Sequence, residues 1–568
     1  MTRSPLPRMA VVGATLLCAA IGVRSIQAQD RPQPTVAESI VVEATPAGTW
    51  RATYRLSRPT ERLEFVRPAN FYRARVWTVA TPGYGFEFEG GMQYLVARES
   101  SAVTDEIVVE FPEYTSQLSA EYELFVRFSD GGRAIYTGHL YARPDGREAI
   151  NTLELAPLPG EKLVIRGGVH DEPIVWTDEY GDGTYAFYGS TEPLETDVVI
   201  AVLDEGLPGW LREEFDAWIP RVFDWYRERL GEPLPWKPLV LYGHQESRDE
   251  GYSYGGGTLT GLIQLTVSGD AWTRPSATAR EIALGFVAHE VAHLWNGQLT
   301  SNRGTDPWIH EGSADALADQ LLLEFGVLDE AAIARRQTNA LNGCFLRLGG
   351  DAIKQSRHSR APYECGHAMA LWTEAAIRRA RPDLDLLDFW AALVDEALRH
   401  DGIYDTERYL EVVGSFGVSR DVRDRMREAV VGGGGDAVEL VVSGLRDAGV
   451  PLETGGEPTR EYRRELARQA MSHVMSTACS GRYSYNGVES FRTFPIAGCE
   501  PFVEEMEIDE IAGAGIPSAG DEIYDRVVEA CAAAGLVELG GPEVTREVPC
   551  DKPLRPRRPW YSLGTRSN

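Results

Sequence analysis

Short runs of alternating apolar and polar residues fill the chain from about residue 36 to residue 197. Residues 62–66 and 122–128 are examples, and Gly and Pro separate such runs from one another. Alternation with a period of two gives a strand one buried face and one solvated face. We therefore predict an N-terminal antiparallel β domain over residues 36–197.

The pattern changes after residue 197. A strand, a helical repeat at residues 215–230, a second strand at residues 239–242, a glycine-rich strand and two more helices follow. Strands that alternate with helices predict an α/β unit over residues 198–326. Residues 327–455 have a helical pattern, so the predicted fold class is a multidomain α/β protein.

The tail, residues 460–552, contains a helix followed by short strands. A strand–helix–strand order over residues 507–539 resembles the second half of a PDZ domain, a module that binds peptide ends by strand addition. A small cap on the preceding unit, braced by disulfides, fits the same pattern. Beyond residue 555 we predict a loose end.

The strongest chemical signal is the pair His289 and His293, with Glu290 between them. On a helix with 3.6 residues per turn, two histidines four apart lie on one face and can bind one metal ion. Glu290 points to the side, where it can take a proton from a metal-activated water. The alternative is coincidence, with a chance of about one per cent in a chain of this composition.

Two consecutive helices organise this signal. We predict the first over residues 278–294, with Thr278 as its N-cap and Ile282 and Phe286 on its buried face. The second is predicted to begin at Asp306-Pro307 and to end near residue 326. Helices joined by a short loop pack as neighbours, which brings the beginning of the second helix near the histidines.

Glu311 and Asp315 lie in the first turns of the second helix. We expect Glu311 to be the third metal ligand, which leaves one position open for a water or substrate. Asp315, one turn later, is placed to accept the outer N–H of a ligand histidine. The alternative for both carboxylates is an acidic, solvated helix face.

Residues 289–297 (HEVAHLWNG) and 308–312 (WIHEG) together resemble the gluzincin metallopeptidases of the alanyl aminopeptidase (aminopeptidase N) type. Seventeen residues separate His293 from Glu311, one fewer than in the family pattern. The Trp295-Asn296 pair is instead similar to the PDZ-bearing glycyl aminopeptidases. The resemblance implies a thermolysin-like catalytic domain at residues 198–326, one Zn²⁺ per chain and a peptide or protein substrate.

Residues 362–366 (PYECG) resemble the segment that supplies the family's catalytic tyrosine. The resemblance implies that Tyr363 stabilises the oxyanion formed when water attacks a peptide carbonyl, a contribution of about 3 kcal/mol. Considered alone, Tyr363 is one of 23 tyrosines and would more often be a packing residue. Cys365 replaces the family's lysine.

The family's substrate-binding strand is matched only in part. Residues 255–265 are rich in glycine and β-formers, so Gly256, Gly257 and Thr258 are predicted to lie against the backbone of an extended peptide. A flexible loop is the alternative. The glutamate that binds the substrate's amino group in the family is missing from this strand, which leaves exopeptidase and endopeptidase activity both open.

The beginning of the chain and its cysteines predict export. Residues 1–29 combine basic residues, a short apolar run and a small cleavage-site residue, as a secretory signal peptide does, and no other apolar run is long enough for a membrane span. The six later cysteines predict three sequential disulfides with partners 19 to 21 residues apart. A cysteine metal site would require closer spacing. We expect a periplasmic or secreted protein.

The net charge of −29, with an isoelectric point near 4.8, argues against a nucleic-acid partner, because phosphates would be repelled. We therefore predict an exported, zinc-dependent metallopeptidase that acts as an aminopeptidase. One alternative is a zinc endopeptidase that needs no free amine. The other is an inactive gluzincin that serves as a protein-binding module. The oligomeric state is left open.

Overall fold

The structure is a computed structural model that describes residues 38–68, 72–114, 122–247, 251–487, 490–516, 519–542 and 545–564. The predicted signal peptide lies outside the described residues. An N-terminal β-rich region is followed by an α/β unit, a helical region and a tail with further strands and helices. The predicted multidomain α/β architecture with its β-rich beginning is confirmed at this level.

The N-terminal region is built of short strands in which buried and exposed side chains alternate, as in β2, where every second residue from Trp50 to Leu56 is buried. Its elements are β1 (Ser39–Ala44), β2 (Trp50–Thr60), β3 (Arg62–Phe65), α1 (Tyr72–Val76), β4 (Thr78–Val79), β5 (Tyr84–Glu89), β6 (Met92–Ala97), β7 (Thr104–Phe111), β8 (Phe125–Arg127), β9 (Arg133–Tyr136), β10 (Ala142–Pro144), β11 (Thr152–Leu155), β12 (Lys162–Ile165), β13 (Gly168–His170), β14 (Ile174–Thr177) and β15 (Tyr185–Gly189). They form sheets of order β14-β11-β1-β2-β7-β4, β10-β3-β6-β5 and β13-β12-β15-β9-β8.

The central unit contains one mixed sheet, of order β16-β17-β18-β20-β19, with helices packed against it. Its elements are β16 (Leu194–Glu195), β17 (Ile200–Leu203), α2 (Gly209–Leu230), β18 (Leu239–Gln245), β19 (Ser253–Leu259), β20 (Leu262–Ser268), α3 (Ala277–His293) and α4 (Pro307–Glu324). Strands β17, β18 and β20 are parallel. They are apolar and largely buried because layers cover both of their faces. The antiparallel strand β19 lies at the edge.

Helices follow from residue 330 to residue 447 and pack on α3 and α4 in the largest apolar core. They are α5 (Glu330–Leu348), α6 (Ala361–Ala380), α7 (Leu386–Leu398), α8 (Thr406–Ser415), α9 (Arg420–Val431) and α10 (Ala437–Asp447). The predicted α-helical character of this region is confirmed. Within the part of the chain that the structure describes, no helix is both long enough and apolar enough to cross a membrane.

The tail has its own apolar core, which includes residues of α11 and α12. Its elements are β21 (Leu452–Thr454), α11 (Arg460–Ala478), β22 (Tyr485–Asn486), β23 (Phe491–Thr493), β24 (Met506–Ile508), β25 (Glu510–Ile511), β26 (Ala514–Gly515), α12 (Gly520–Ala533), β27 (Leu536–Gly540), β28 (Thr545–Pro549) and β29 (Tyr561–Leu563). Strand, helix and strand follow in the expected order, and the likeness to a PDZ domain stays a prediction.

The three predicted disulfides are confirmed. They join Cys344 to Cys365, Cys479 to Cys499 and Cys531 to Cys550. The first ties α5 to the beginning of α6, and the other two brace the tail. Such pairing is consistent with an exported protein.

Our prediction of a loose C-terminal end is wrong for residues 555–564, and residues 565–568 lie outside the described residues. Strand β29 pairs with β21, and Asn342 of α5 exchanges two hydrogen bonds with the backbone of Tyr561, at 2.8 and 2.9 Å. The side chains of Trp560 and Tyr561 are buried. Backbone pairing and aromatic burial therefore fix this segment to α5, the helix that also carries Cys344.

The predicted start of α3 is also wrong. Helix α3 is capped by Ser276, whose hydroxyl accepts the N–H of Ala279 at 2.9 Å, and Thr278 lies inside the helix. Helix α6 begins at Ala361, so Tyr363 lies in its first turn and not in a loop. Proline fits the first turn of a helix because its missing N–H has no partner there in any case, and Pro362 therefore does not delay the helix.

Candidate metal centre and cleft

Helices α3 and α4 hold the residues of the centre, and close backbone packing fixes their positions. A Cβ on Gly312 would lie 2.2 Å from the backbone of Gly366, and one on Gly366 would lie 1.9 Å from the Trp308 carbonyl oxygen. Only glycine permits such an approach. It brings α4, which carries Glu311, against α6, which carries Tyr363.

His289, His293 and Glu311 converge on one point. The two Nε2 atoms are 3.0 Å apart, and Glu311 Oε2 lies 3.6 Å from Nε2 of His289 and 3.4 Å from Nε2 of His293. The three side chains thus present three donor atoms within 4.8 Å of one another. Two imidazole nitrogens and a carboxylate oxygen are a donor set that can hold a metal ion.

The outer nitrogen of each histidine has an oxygen partner. Nδ1 of His289 lies 2.8 Å from Asp315 Oδ1, and Nδ1 of His293 lies 3.0 Å from Asn296 Oδ1. Both oxygens are acceptors if the side-chain amide of Asn296 donates to the His310 carbonyl, 2.9 Å away. The protons are then on Nδ1, and both Nε2 lone pairs face Glu311.

Asn296 was not anticipated from the sequence. After α3, which we predicted to end at residue 294, the backbone continues as a π-helical turn, Leu294–Leu299. This turn places the side chain of Asn296 within hydrogen-bond distance of Nδ1 of His293. The hydroxyl of Tyr404 donates to the Asn296 carbonyl and holds the turn from α8's side of the core. π-Helical turns within helices occur frequently at functional sites.

The electrostatics of the centre favour a bound cation. Burial opposes the charged form of His289, but the neighbouring Asp315 and Glu311 carboxylates outweigh it and raise its pKa to about 10. Burial also raises the pKa of Glu311, yet hydrogen bonds from His289 and His293 hold it well below its usual range. Positive charge at this point is therefore stabilised by the surrounding carboxylates.

His310 is a neutral neighbour. Its ring stacks on that of His293, with centroids 4.0 Å apart, and its Nδ1 lies 3.2 Å from the Asn296 carbonyl. Burial, followed by the charge of His293, lowers its pKa to about 4. His367 lies 3.4 Å from Asp319, away from the three donor atoms. Both histidines support the centre from outside it.

Glu290 and Tyr363 line one cleft together with His289. Burial raises the pKa of the Glu290 carboxyl, so this side chain is a better base than an exposed glutamate. The ring of Tyr363 is nearly parallel to that of His289, at 6.1 Å. Burial and the nearby Glu311 charge raise the pKa of Tyr363 well above its usual value, which keeps its hydroxyl protonated.

The cleft has a volume of about 640 Å³ and continues into a second cavity of about 650 Å³. Ile282 and Phe286, which we predicted to be buried, are half-buried and line the first cavity. The second cavity reaches α11, where Thr459 and Tyr462 form part of its wall. The tail therefore contributes to the same cleft as the metal centre.

Edge strand β19 forms the opposite wall of the cleft. Gly255 and Gly256 line it, together with His289 and Glu290. A Cβ on Gly256 would lie 2.3 Å from the Gln264 carbonyl oxygen of β20, so this position excludes a side chain. Gly257 and Thr258, which we also predicted to contact substrate, are not among the residues that line this cavity.

Tyr122 of the N-terminal region covers the edge of β19 at Thr258, whereas the edge at Gly256 faces the cavity. Its hydroxyl donates to the Thr258 carbonyl at 3.1 Å, so this carbonyl faces away from β20. In an antiparallel strand, residues two apart direct their backbone groups to the same side. The N–H and carbonyl of Gly256 therefore also face the open edge, while Tyr122 occupies the edge at Thr258.

A second group, His473 with Cys531 and Cys550, also has close donor atoms. Its two cysteines form a disulfide with each other, and the imidazole Nε2 of His473 is 2.9 Å from the Lys552 carbonyl. Disulfide sulfurs are not thiolates and do not bind metal as such. This group is a structural brace of the tail.

Comparisons with known proteins extend these observations at the level of the fold. No family model matches the sequence, and no curated protein sequence matches it. The structure is similar to a crystal structure of an aminopeptidase N family protein from Idiomarina loihiensis, with a TM-score of 0.60 and 13% sequence identity over 93% of this chain and 97% of that chain. The chain therefore has an aminopeptidase N-like fold.

Proposed function

We propose that the chain is a zinc-dependent metallopeptidase that removes residues from the amino terminus of peptides. The observation that carries the proposal is the convergence of His289, His293 and Glu311, with His289, Glu290 and Tyr363 on the wall of a cleft that edge strand β19 also lines. The fold-level likeness to an aminopeptidase N family protein supports it.

The donor set fits zinc. Donor atoms at zinc–ligand distances of 2.0–2.2 Å in a tetrahedron are separated by about 3.3 Å, and the three separations here are 3.0, 3.4 and 3.6 Å. Asp315 and Asn296 orient the two imidazoles as outer partners of ligand histidines usually do. When bound, zinc would lower the pKa of a water and polarise the peptide carbonyl.

The protein's own groups have distinct parts in the proposed reaction. Glu290 takes a proton from the attacking water and passes it to the departing amine, a task that its raised pKa suits. Tyr363 donates its phenolic proton in a hydrogen bond to the carbonyl oxygen as that oxygen becomes negative. Gly256 pairs with the peptide backbone through its outward N–H and carbonyl.

The position of Tyr122 supports action at the amino terminus. A peptide added antiparallel to β19 has its amino-terminal end towards Thr258 and its carboxyl-terminal end towards Ser253. Tyr122 occupies the edge at Thr258, whereas the other direction leads into the second cavity. Few residues can therefore precede the scissile bond, although β19 contains no glutamate to bind the terminal amine.

The experiment compares one peptide with a free and with an acetylated amino terminus, before and after treatment with a chelator. We expect cleavage of the free peptide, at most slow cleavage of the acetylated one, loss of activity with chelator and recovery with zinc. Equal cleavage of both peptides would favour the endopeptidase. No cleavage of either by zinc-loaded protein would favour the inactive binding module.

A further inference from the structure

We infer that the C-terminal module, residues 460–552, positions Tyr363 through a partly buried chain of charges, Glu465–Arg347–Glu364, with Arg347 at its buried centre. The inference rests on the proposed function for the role of Tyr363. It assigns the C-terminal module a role in catalysis, although the module is far from the metal centre in sequence. Arg347 and Glu465 are positioning residues here, because neither touches the donor atoms of the centre.

The first turn of α6 determines the position of Tyr363. The residue at its N-cap is Arg360, and within the described part of the chain its side chain makes no cap hydrogen bond. Backbone bonds close this turn, from the Ala361 N–H to the His358 carbonyl at 3.0 Å and from the Glu364 N–H to the Arg360 carbonyl at 3.1 Å, so its tilt is set by the side chains that follow the N-cap. Tyr363 lies in that turn, so its hydroxyl is only as well placed as the turn itself.

Glu364 and Cys365, which follow Tyr363, anchor the first turn of α6 to α5. Glu364 accepts hydrogen bonds from Arg347 Nε at 3.0 Å and from Arg360 Nε at 3.0 Å. Cys365 is bonded to Cys344 of α5. Glu364 also lies over Gly343, where a Cβ would come within 2.7 Å of its carboxyl carbon. The turn is thus anchored to α5 directly after the tyrosine.

Arg347 links this anchor to the tail. Its side chain is fully buried, and its second guanidinium branch lies 2.8 Å from Oε1 of Glu465 on α11. One planar guanidinium therefore contacts two carboxylates, by a hydrogen bond to Glu364 of α6 and by an ion pair with Glu465 of the C-terminal module. Leu346 next to it belongs to the tail's apolar core, whereas Phe345 belongs to the core around the metal centre.

Glu465 of the tail supplies the second negative charge of this cluster. Arg347 and Arg360 face Glu364 and Glu465, two cations and two anions. A buried guanidinium without its second carboxylate would be left partly unpaired, which is costly in a low-dielectric interior. Removal of the Glu465 charge should therefore let Arg347 shift towards Glu364 and change the tilt of the first turn of α6.

The test is the substitution Glu465→Gln, which keeps the shape of the side chain. We expect kcat to fall about tenfold, a part of the 10²- to 10³-fold loss that follows removal of a whole oxyanion donor. KM and metal content should stay near their original values, because the donor acts in the transition state. Glu529→Gln, on the exposed face of α12, makes the same charge change in the same module and should leave kcat unchanged.

A double-mutant cycle separates positioning from general damage. In a Tyr363→Phe background the hydroxyl is gone, so Glu465→Gln should then lower kcat by less than about twofold. An equal fall in both backgrounds, or no fall in either, would overturn the inference. Arg347→Lys, which keeps the charge but loses the two-sided geometry, should behave as Glu465→Gln does.

Hydrogen exchange gives a readout that needs no activity. Glu465→Gln should speed exchange of the amides at residues 363–366 and leave the amides of α3 unchanged. Unchanged exchange at residues 363–366 would contradict the inference even in an active enzyme. If the wild-type protein cleaves no peptide, the proposed function fails, and exchange still decides whether the tail holds the tyrosine turn.

Discussion

The hydroxyl of Tyr122 donates a hydrogen bond to the carbonyl of Thr258, 136 residues away, at 3.1 Å. This contact joins the N-terminal β region to the edge strand of the central sheet and ends the free edge two residues beyond Gly256. A strand edge invites pairing by any extended peptide. The contact therefore limits how many residues of a peptide can lie on the amino-terminal side of the metal centre.

Replacement of Tyr122 should relax this limit. In the Tyr122→Ala protein the Thr258 carbonyl is free, and a longer or blocked peptide can pair with it. We expect the ratio of kcat/KM for acetylated over free peptide to rise at least about tenfold, an effect of about 1.4 kcal/mol. The Tyr122→Phe protein keeps the ring and its tilted contact with the ring of Tyr136 and should show a smaller rise. A constant ratio in both proteins would argue against this reading of the edge.

Replacement of Glu290 should separate catalysis from metal binding. The Glu290→Gln protein loses its base but keeps His289, His293 and Glu311, so we expect kcat to fall about 10²- to 10⁴-fold with unchanged metal content. Kinetics and metal analysis of the same preparation check this. If metal were lost together with activity, Glu290 would be part of the metal site.

The tyrosine hydroxyl should matter for rate and little for affinity. For Tyr363→Phe we expect kcat to fall about 10²- to 10³-fold with KM nearly unchanged, because the hydrogen bond forms as charge develops on the carbonyl oxygen. A rise in KM at constant kcat would assign Tyr363 to substrate binding instead.

The bond between Cys344 and Cys365 should stabilise the region around Tyr363. Replacement of both cysteines by serine opens a loop of 21 residues, and the chain-entropy account predicts a loss of about 3 kcal/mol. Thermal unfolding should shift to lower temperature. The matched pair Cys479→Ser and Cys499→Ser, in the tail, should also lower stability, but it should leave hydrogen exchange at residues 363–366 unchanged.

Asp306, the N-cap residue of α4, should make stability depend on pH. Burial raises its pKa, but hydrogen bonds from Thr406 and Lys354 outweigh burial and hold it below the usual 3.8. A carboxyl with a lowered pKa stabilises the fold above its unfolded pKa, and that stability is lost as pH falls through the folded pKa. The Asp306→Asn protein should thus melt lower than wild type at pH 7, with a difference that shrinks below about pH 4. A difference that does not change with pH would contradict this.

Helix caps and short motifs in the sequence predicted the helices of the metal centre. Contacts between residues far apart in sequence could not be predicted in this way. Asp306-Pro307 and the glycine near residue 326 predicted the bounds of α4 closely, because caps and prolines act on their own neighbours. The π-helical turn that places Asn296 has no comparable pattern. Tyr122 and Glu465 act across 136 and 118 residues (258 − 122 and 465 − 347), and only the folded chain brings them to the cleft.

Short elements were missed for a related reason. Strands β21 and β29 have three residues each, too few for an alternating pattern, and Asn342, which bonds the backbone of β29, is more than 200 residues away in sequence. Substrate specificity was equally hidden, since the missing glutamate in β19 left two activities open. The position of Tyr122 favours one of them.

The proposed catalysis requires a metal ion held by His289, His293 and Glu311. Elemental analysis of the purified protein, compared with the Glu311→Ala protein, tests this without reference to any substrate. We predict about one zinc per wild-type chain and a clear loss of zinc from the variant at the same protein concentration. Wild-type protein that stays without bound zinc when zinc is supplied, or a variant that keeps its full metal content, would contradict the account.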